Sequence, residues 1–159
     1  MNRLLAFFLF FPALLAGQER LLPDPRLTPG KADPSLHATL PADPHDKHNI
    51  CSKAFRTSDY RHTSRATKKA VCAEYGVKNC PHQNTMELDH LIAIEDGGLD
   101  VQENLWVQMA PQFKMKDRLE TILHNLVCSD KIPLTEAQDE IKTDWMAAYR
   151  KYVGPLPTK

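Results

Sequence analysis

Glu87-Leu88-Asp89-His90-Leu91-Ile92, then Gly97-Gly98, then Asn104-Leu105-Trp106, is the stretch on which the fold turns. Residues 86–94 form an apolar run interrupted only by Glu87, Asp89 and His90, which predicts a strand. Glu95-Asp96-Gly97-Gly98 reads as a turn, and residues 101–107 as a shorter second extended segment. Glycines let the chain reverse sharply, bringing Asn104 back beside His90. Neighbours on a regular strand point to opposite faces, so Asp89 and His90 share one site only if the strand twists or bends there.

Outward from this hairpin the periodicity becomes helical. Pro111 opens a helix over residues 112–127, with Met115, Leu119, Ile122, Leu123 and Leu126 as its apolar stripe and Lys116, Asp117, Glu120 and His124 on one flank. A last helix begins at a capping-box pattern of Thr135 with Gln138. Ile141, Trp145, Ala148, Tyr149 and Tyr152 are its core face, and Gly154-Pro155 ends it. Upstream, Ser64 is the expected N-cap of a helix to about Tyr75, with Gly76 as its stop. Ala70, Val71 and Tyr75 would face inward there, and Arg65, Lys68 and Lys69 outward; residues 77–85 read as a loop. Together these elements predict an α+β domain: a small hairpin–helix core with flanking α-helices.

The 159-residue chain divides into four parts. Residues 1–17, MNRLLAFFLFFPALLAG, have the short basic start, apolar run and small-residue end of a signal peptide, with a run too short to span a bilayer comfortably. Residues 18–48 carry Pro23, Pro25, Pro29, Pro34, Pro41 and Pro44 with almost no apolar periodicity, and read as a disordered spacer. Residues 49–154 form the folded domain and 155–159 a tail. The expected location is therefore secreted or periplasmic, without a membrane anchor after cleavage.

Cysteine usage agrees with export. The four cysteines, Cys51, Cys72, Cys80 and Cys128, include no Cys-x-x-Cys pair, so two disulfides are favoured over a zinc knuckle. Of three possible pairings, Cys72–Cys80 with Cys51–Cys128 is preferred, because the first closes a short local loop. The 20 basic and 20 acidic residues balance, which argues against tight, salt-resistant binding to a polyanion. The distribution is uneven, however: Lys53, Arg56, Arg61, Arg65, Lys68 and Lys69 face only Asp59 across residues 53–69. Such a cluster suits either a solvated helix face or a phosphate backbone.

The hairpin carries the chemistry. Asp89 is a hard oxygen donor suited to a divalent cation. His90 titrates near neutrality and can take a proton from water, and Asn104 can fix the imidazole tautomer or pin the loop. Hydrolysing a phosphodiester needs a nucleophilic water, charge neutralisation on the phosphate and stabilisation of the leaving oxygen, and one divalent metal can supply the last two.

The order Asp-His, Gly-Gly, Asn-Leu, helix resembles the HNH, or ββα-metal, nuclease superfamily. Glu-Leu-Asp-His-Leu-Ile, Asn-Leu-Trp, Lys116-Asp117-Arg118-Leu119-Glu120, Leu123-His124, Val127-Cys128 and Asp144-Trp145 are similar to a group of small exported bacterial members, over residues 51–152. The resemblance implies His90 as general base, Asn104 as the orienting catalytic residue and Asp89 as metal ligand. It implies Mg²⁺ or Mn²⁺ as cofactor, with Zn²⁺ a further candidate. Many members place a metal-binding histidine near the start of the helix. Gln112, Phe113, Lys114, Met115, Lys116 and Asp117 stand there instead; Asp117 is the candidate second oxygen ligand, and Lys114 or Lys116 a phosphate holder. His124 reads as structural, paired with Glu120. The implied activity is a monomeric metal-dependent endonuclease of low sequence specificity on DNA, with RNA as a second substrate class. Arg61, Arg65, Lys68, Lys69, Lys114 and Arg118 would contact phosphates. The alternative, motivated by the missing histidine, is a non-catalytic extracellular binding or structural module. No inhibitor or immunity partner is legible.

Overall fold

In the computed structural model, residues 22–78, 80 and 85–157 are described, so the expected signal peptide and most of the 77–85 loop lie outside them. The elements run α1 (Arg65–Glu74), β1 (Met86–His90), β2 (Leu105–Met109), α2 (Gln112–Cys128) and α3 (Leu134–Tyr152). β1 and β2 form a two-stranded antiparallel hairpin with Asp89 opposite Trp106 and His90 opposite Leu105. The architecture is α+β, a hairpin followed by helices.

α1 forms where its cap predicts. Ser64 Oγ accepts the Thr67 N–H at 3.0 Å, Val71 and Cys72 are buried, and Gly76 follows with a left-handed φ of 66°. β1 is shorter than expected and stops at His90, four residues before Ile94. From Leu91 onward the backbone bonds to Asn104 instead of to a strand: Leu91 N–H donates to the Asn104 carbonyl at 2.7 Å and Ile92 N–H to Asn104 Oδ1 at 3.0 Å. β2 correspondingly starts late, because Gln102–Asn104 is a 3₁₀ turn.

Both glycines of the turn are required, for different reasons. Gly97 has φ 77°, in the region a Cβ disfavours. At Gly98 a Cβ would lie 1.9 Å from the Ile92 carbonyl oxygen, a backbone atom that cannot swing aside. Gly98→Ala is expected to cost about 3 kcal/mol or more, because overpacking here shifts the chain itself. Gly76→Ala, positive φ but open space, is expected to cost only about 1–2 kcal/mol. Urea unfolding of the two variants checks the ranking; equal losses would refute the steric reading.

The core lies between α2, α3 and the hairpin, with Trp106, Leu119, Leu123, Ile141 and Trp145 all at most 1 % exposed. α2 is rotated from the expected stripe. Met115, Ile122 and Leu126 are only half-buried, whereas Lys116 and Glu120, expected on a polar flank, are buried. α3 also departs from its predicted start. Pro133 precedes it without a side-chain cap, and Gln138 donates to the Asp96 carbonyl at 2.9 Å instead of closing a capping box. Asp144 interrupts α3 with extended φ/ψ, and its Oδ1 accepts Met146 and Ala147 N–H groups at 3.0 Å each, recapping the second half.

The spacer reading fails for residues 22–48, which wrap the hairpin. Thr28 Oγ1 donates to the Leu105 carbonyl at 2.8 Å, Gly30 N–H to Glu103 at 3.1 Å, and Asp33 N–H to Gly97 at 2.8 Å. Lys31 O accepts from Leu99 N–H at 2.8 Å, and Leu36 joins the core. Prolines remove donors only where they stand; the donors between them satisfy the 97–104 loop without any apolar period that a sequence would display.

The disulfides are Cys51–Cys128 and Cys72–Cys80, with Cα separations of 5.3 and 5.8 Å, the preferred pairing. Cys51–Cys128 spans 77 residues and ties the entry segment to the end of α2, restricting the unfolded chain by about 4–5 kcal/mol in the loop-entropy account. Among the described residues no helix is long and apolar enough to cross a membrane.

Candidate active site

Because β1 ends at His90, the side chains of Asp89 and His90 both reach one cleft at the end of the hairpin. Arg61, Glu87, Asp89, His90, Asp117 and Glu120 help line its volume of about 370 Å³. A smaller neighbouring hollow brings Arg61, Lys68 and His90 together.

His90 is held by a residue that sequence reading missed. Its Nε2 lies 2.7 Å from Asp100 Oδ1, in a pair whose side chains are 6 % and 5 % exposed. Asp100 also accepts the His62 N–H and the Thr63 hydroxyl, anchoring the basic segment to the hairpin. Burial works to raise the Asp100 carboxyl, but its hydrogen bonds outweigh this and hold it below its ordinary value. Burial lowers the His90 imidazole below its usual 6.5, against the opposing pull of Asp100. At neutral pH the pair is therefore carboxylate and neutral imidazole. An ionised carboxylate only accepts, so the proton sits on Nε2 and Nδ1 carries the lone pair. Among the described residues nothing hydrogen-bonds Nδ1.

Asn104 does not touch this ring. Its side chain is wholly buried; Oδ1 accepts from Ile92 N–H and Lys31 N–H, and Nδ2 donates to the Ile92 and Leu99 carbonyls at 2.9 Å each. Of its two expected roles it performs loop pinning, and Asp100 orients the imidazole. The amide alone supplies paired donors and acceptors in the geometry a backbone offers, which is why it can replace a strand partner.

The largest departure is at Lys116. Its Nζ donates to Asp89 Oδ2 at 2.7 Å, to the His90 carbonyl at 2.6 Å and to Glu120 Oε1, and its side chain is 0 % exposed. It cannot hold phosphate, as the sequence suggested. Burial alone would lower the ammonium, but Asp89 and Glu120 more than offset it and hold it charged, above its ordinary value. Burial raises the Glu120 carboxyl above its ordinary value, against the pull of Lys116. Glu120 is thus committed to Lys116, and not to His124 as expected.

No protein-family model, curated protein or solved structure matches this chain.

Asp89 and Asp117, the implied metal ligands, do share the cleft, and burial followed by repulsion from Asp89 raises the Asp117 carboxyl. The donor set nevertheless does not fit a resident divalent ion. Asp89 already holds an ammonium, and among the described residues no three His, Cys, Asp or Glu side chains are grouped to hold a metal. Glu87, two residues before Asp89 and so on the same strand face, is pushed up to about 7 by burial and by Asp89 and Asp117. Of the expected phosphate contacts, Arg61 and Lys68 line the hollows beside His90. Arg65 and Lys69 are exposed on α1; Lys114 and Arg118 are exposed on α2 and do not line the cleft.

His124 instead meets the turn: Nδ1 lies 2.9 Å from the Glu95 carbonyl and 3.6 Å from Asp96. Asp96 is 1 % exposed with neither carboxylate oxygen hydrogen-bonded among the described residues, and burial pushes it up to about 6. The fold favours its neutral form, so stability is lost as pH rises from its ordinary 3.8 through about 6. The Asp96 carboxylate raises His124, whose contribution is present below 6.5 and lost as pH passes its higher folded value. The melting temperature is expected to fall between pH 5 and 8, and to fall less in Asp96→Asn. Parallel pH curves for the two proteins would refute this assignment.

Proposed function

We propose that this chain is an exported phosphodiester hydrolase acting on nucleic acid with little sequence selectivity, built on a ββα hairpin–helix core of the HNH kind. The observation that carries the reading is the His90 imidazole: neutral, fixed through Nε2 by Asp100, with Nδ1 unpartnered and with Arg61 and Lys68 lining a hollow that His90 shares. That is the state a general base needs. The leading apolar segment and the two disulfides support export into an oxidising compartment.

In this reading His90 Nδ1 takes a proton from water as the hydroxide oxygen attacks phosphorus. Arg61 and Lys68 offset the charge gathering on the phosphoryl oxygens. Glu87, which holds a proton near neutrality, delivers it to the leaving oxygen; solvent then removes the proton from His90 and restores that of Glu87. The products are a phosphate monoester and a free hydroxyl. Sequence selectivity is low because no described element is offered to a DNA groove as a separate recognition module.

Oxidised full-length protein is expected to nick supercoiled plasmid with a bell-shaped pH profile. Its acid limb lies below 6.5, from His90, and its alkaline limb near 7, from Glu87. Absence of cleavage at every pH, in both Mn²⁺ and EDTA, would overturn the reading. Salt-sensitive retention of DNA without cleavage would identify a binding module instead.

A further inference from the structure

An ammonium presents three protons, and Lys116 meets three oxygens: Asp89 Oδ2, the His90 carbonyl and Glu120 Oε1. The group is wholly buried, touches both residues of the Asp-His pair and fills its own donor capacity within the protein. A divalent ion seeking Asp89 would meet a fixed positive charge already on that carboxylate. Nothing replaces the lost donor, since Glu120 is also taken by Lys116 and no ligand trio is formed among the described residues. An ordinary surface lysine would show none of this saturation.

We infer that Lys116 is the resident cation of the site, a covalently attached ammonium that stands on Asp89 in place of a divalent metal. Phosphodiester hydrolysis here accordingly needs no bound metal. Lys116 is a positioning residue, because it touches Asp89 and the backbone of His90 and never the substrate. Catalysis without a metal presupposes the activity proposed above, whereas occupancy of Asp89 does not.

The test titrates the oxidised full-length chain with Mn²⁺, read by the electron paramagnetic resonance of the free ion and by melting temperature, and runs plasmid nicking in EDTA beside Mn²⁺. The wild type is expected to take up no more Mn²⁺ than Asp89→Asn and to nick equally in both media. Lys116→His, which removes the ammonium and adds an imidazole beside Asp89, is expected to gain a Mn²⁺-dependent rise in melting temperature. A wild-type Mn²⁺ site that Asp89→Asn abolishes would overturn the inference, even if Lys116→His fails to fold. So would nicking that EDTA stops and Mn²⁺ restores. If the wild type nicks in neither medium, the proposed activity falls while the Mn²⁺ titration still decides what occupies Asp89.

Discussion

His90→Ala is expected to lower plasmid nicking by roughly 10²–10⁴-fold, the usual worth of a positioned general base. The size of the effect follows from the lack of a second imidazole in the cleft: Glu87, Asp117 and Glu120 are carboxyls raised above their ordinary values, Asp89 is paired with Lys116, and Arg61 is a cation. The variant should still fold. Asp100 keeps its bonds from His62 and Thr63, so it is not stranded, and the loss is a truncated side chain at the strand end. The measurement is the nicking rate at pH 7 with the melting temperature determined on the same sample. Nicking equal to wild type in a folded variant would remove His90 from the mechanism, or point to a contaminating nuclease.

Lys116→Met is expected to destabilise the fold by about 3–5 kcal/mol, the range found when one partner of a buried ion pair is deleted. Methionine fills much of the same volume, so packing is not the main loss. The variant leaves Asp89, the His90 carbonyl and Glu120 without their common donor. Domain stabilities are only about 5–15 kcal/mol, so the change consumes a large share of the total. The deficit should shrink at acid pH. Without the ammonium the Glu120 carboxyl protonates more readily, and a neutral buried carboxyl is cheaper than a charged one. Urea unfolding at pH 5 and pH 8 checks both size and sign. A loss below about 1 kcal/mol, or one larger at pH 5, would show that the ammonium does not hold the hairpin to α2.

Where a structural decision is local, the chain displayed it. Ser64 caps α1 through a bond to a residue three positions on, and the turn at Gly97-Gly98 depends on backbone freedom only glycine has. Apolar spacing placed Leu119, Leu123, Ile141 and Trp145 in the core, and cysteine count with loop length favoured the observed disulfides. The candidate site was half legible. Asp89, His90 and Asn104 stand out because they crowd a short segment. Asp100 did not, since an aspartate in a loop has no pattern that marks it as another residue's hydrogen-bond partner.

The sequence by itself determined the elements, their order and the Asp89-His90 pair at the centre of the candidate site, because caps, turns and amphipathic periods act within a few residues of chain. Only the tertiary structure decided what those residues became. It rotated α2 so that Lys116 is buried on Asp89, bonded Asp100 to His90 across ten residues, and bound a proline-rich segment to the hairpin loop. Each of these outcomes is a pairing of buried polar groups that must be satisfied somewhere. Which partner satisfies them depends on which surfaces meet, and chain-local patterns do not encode that.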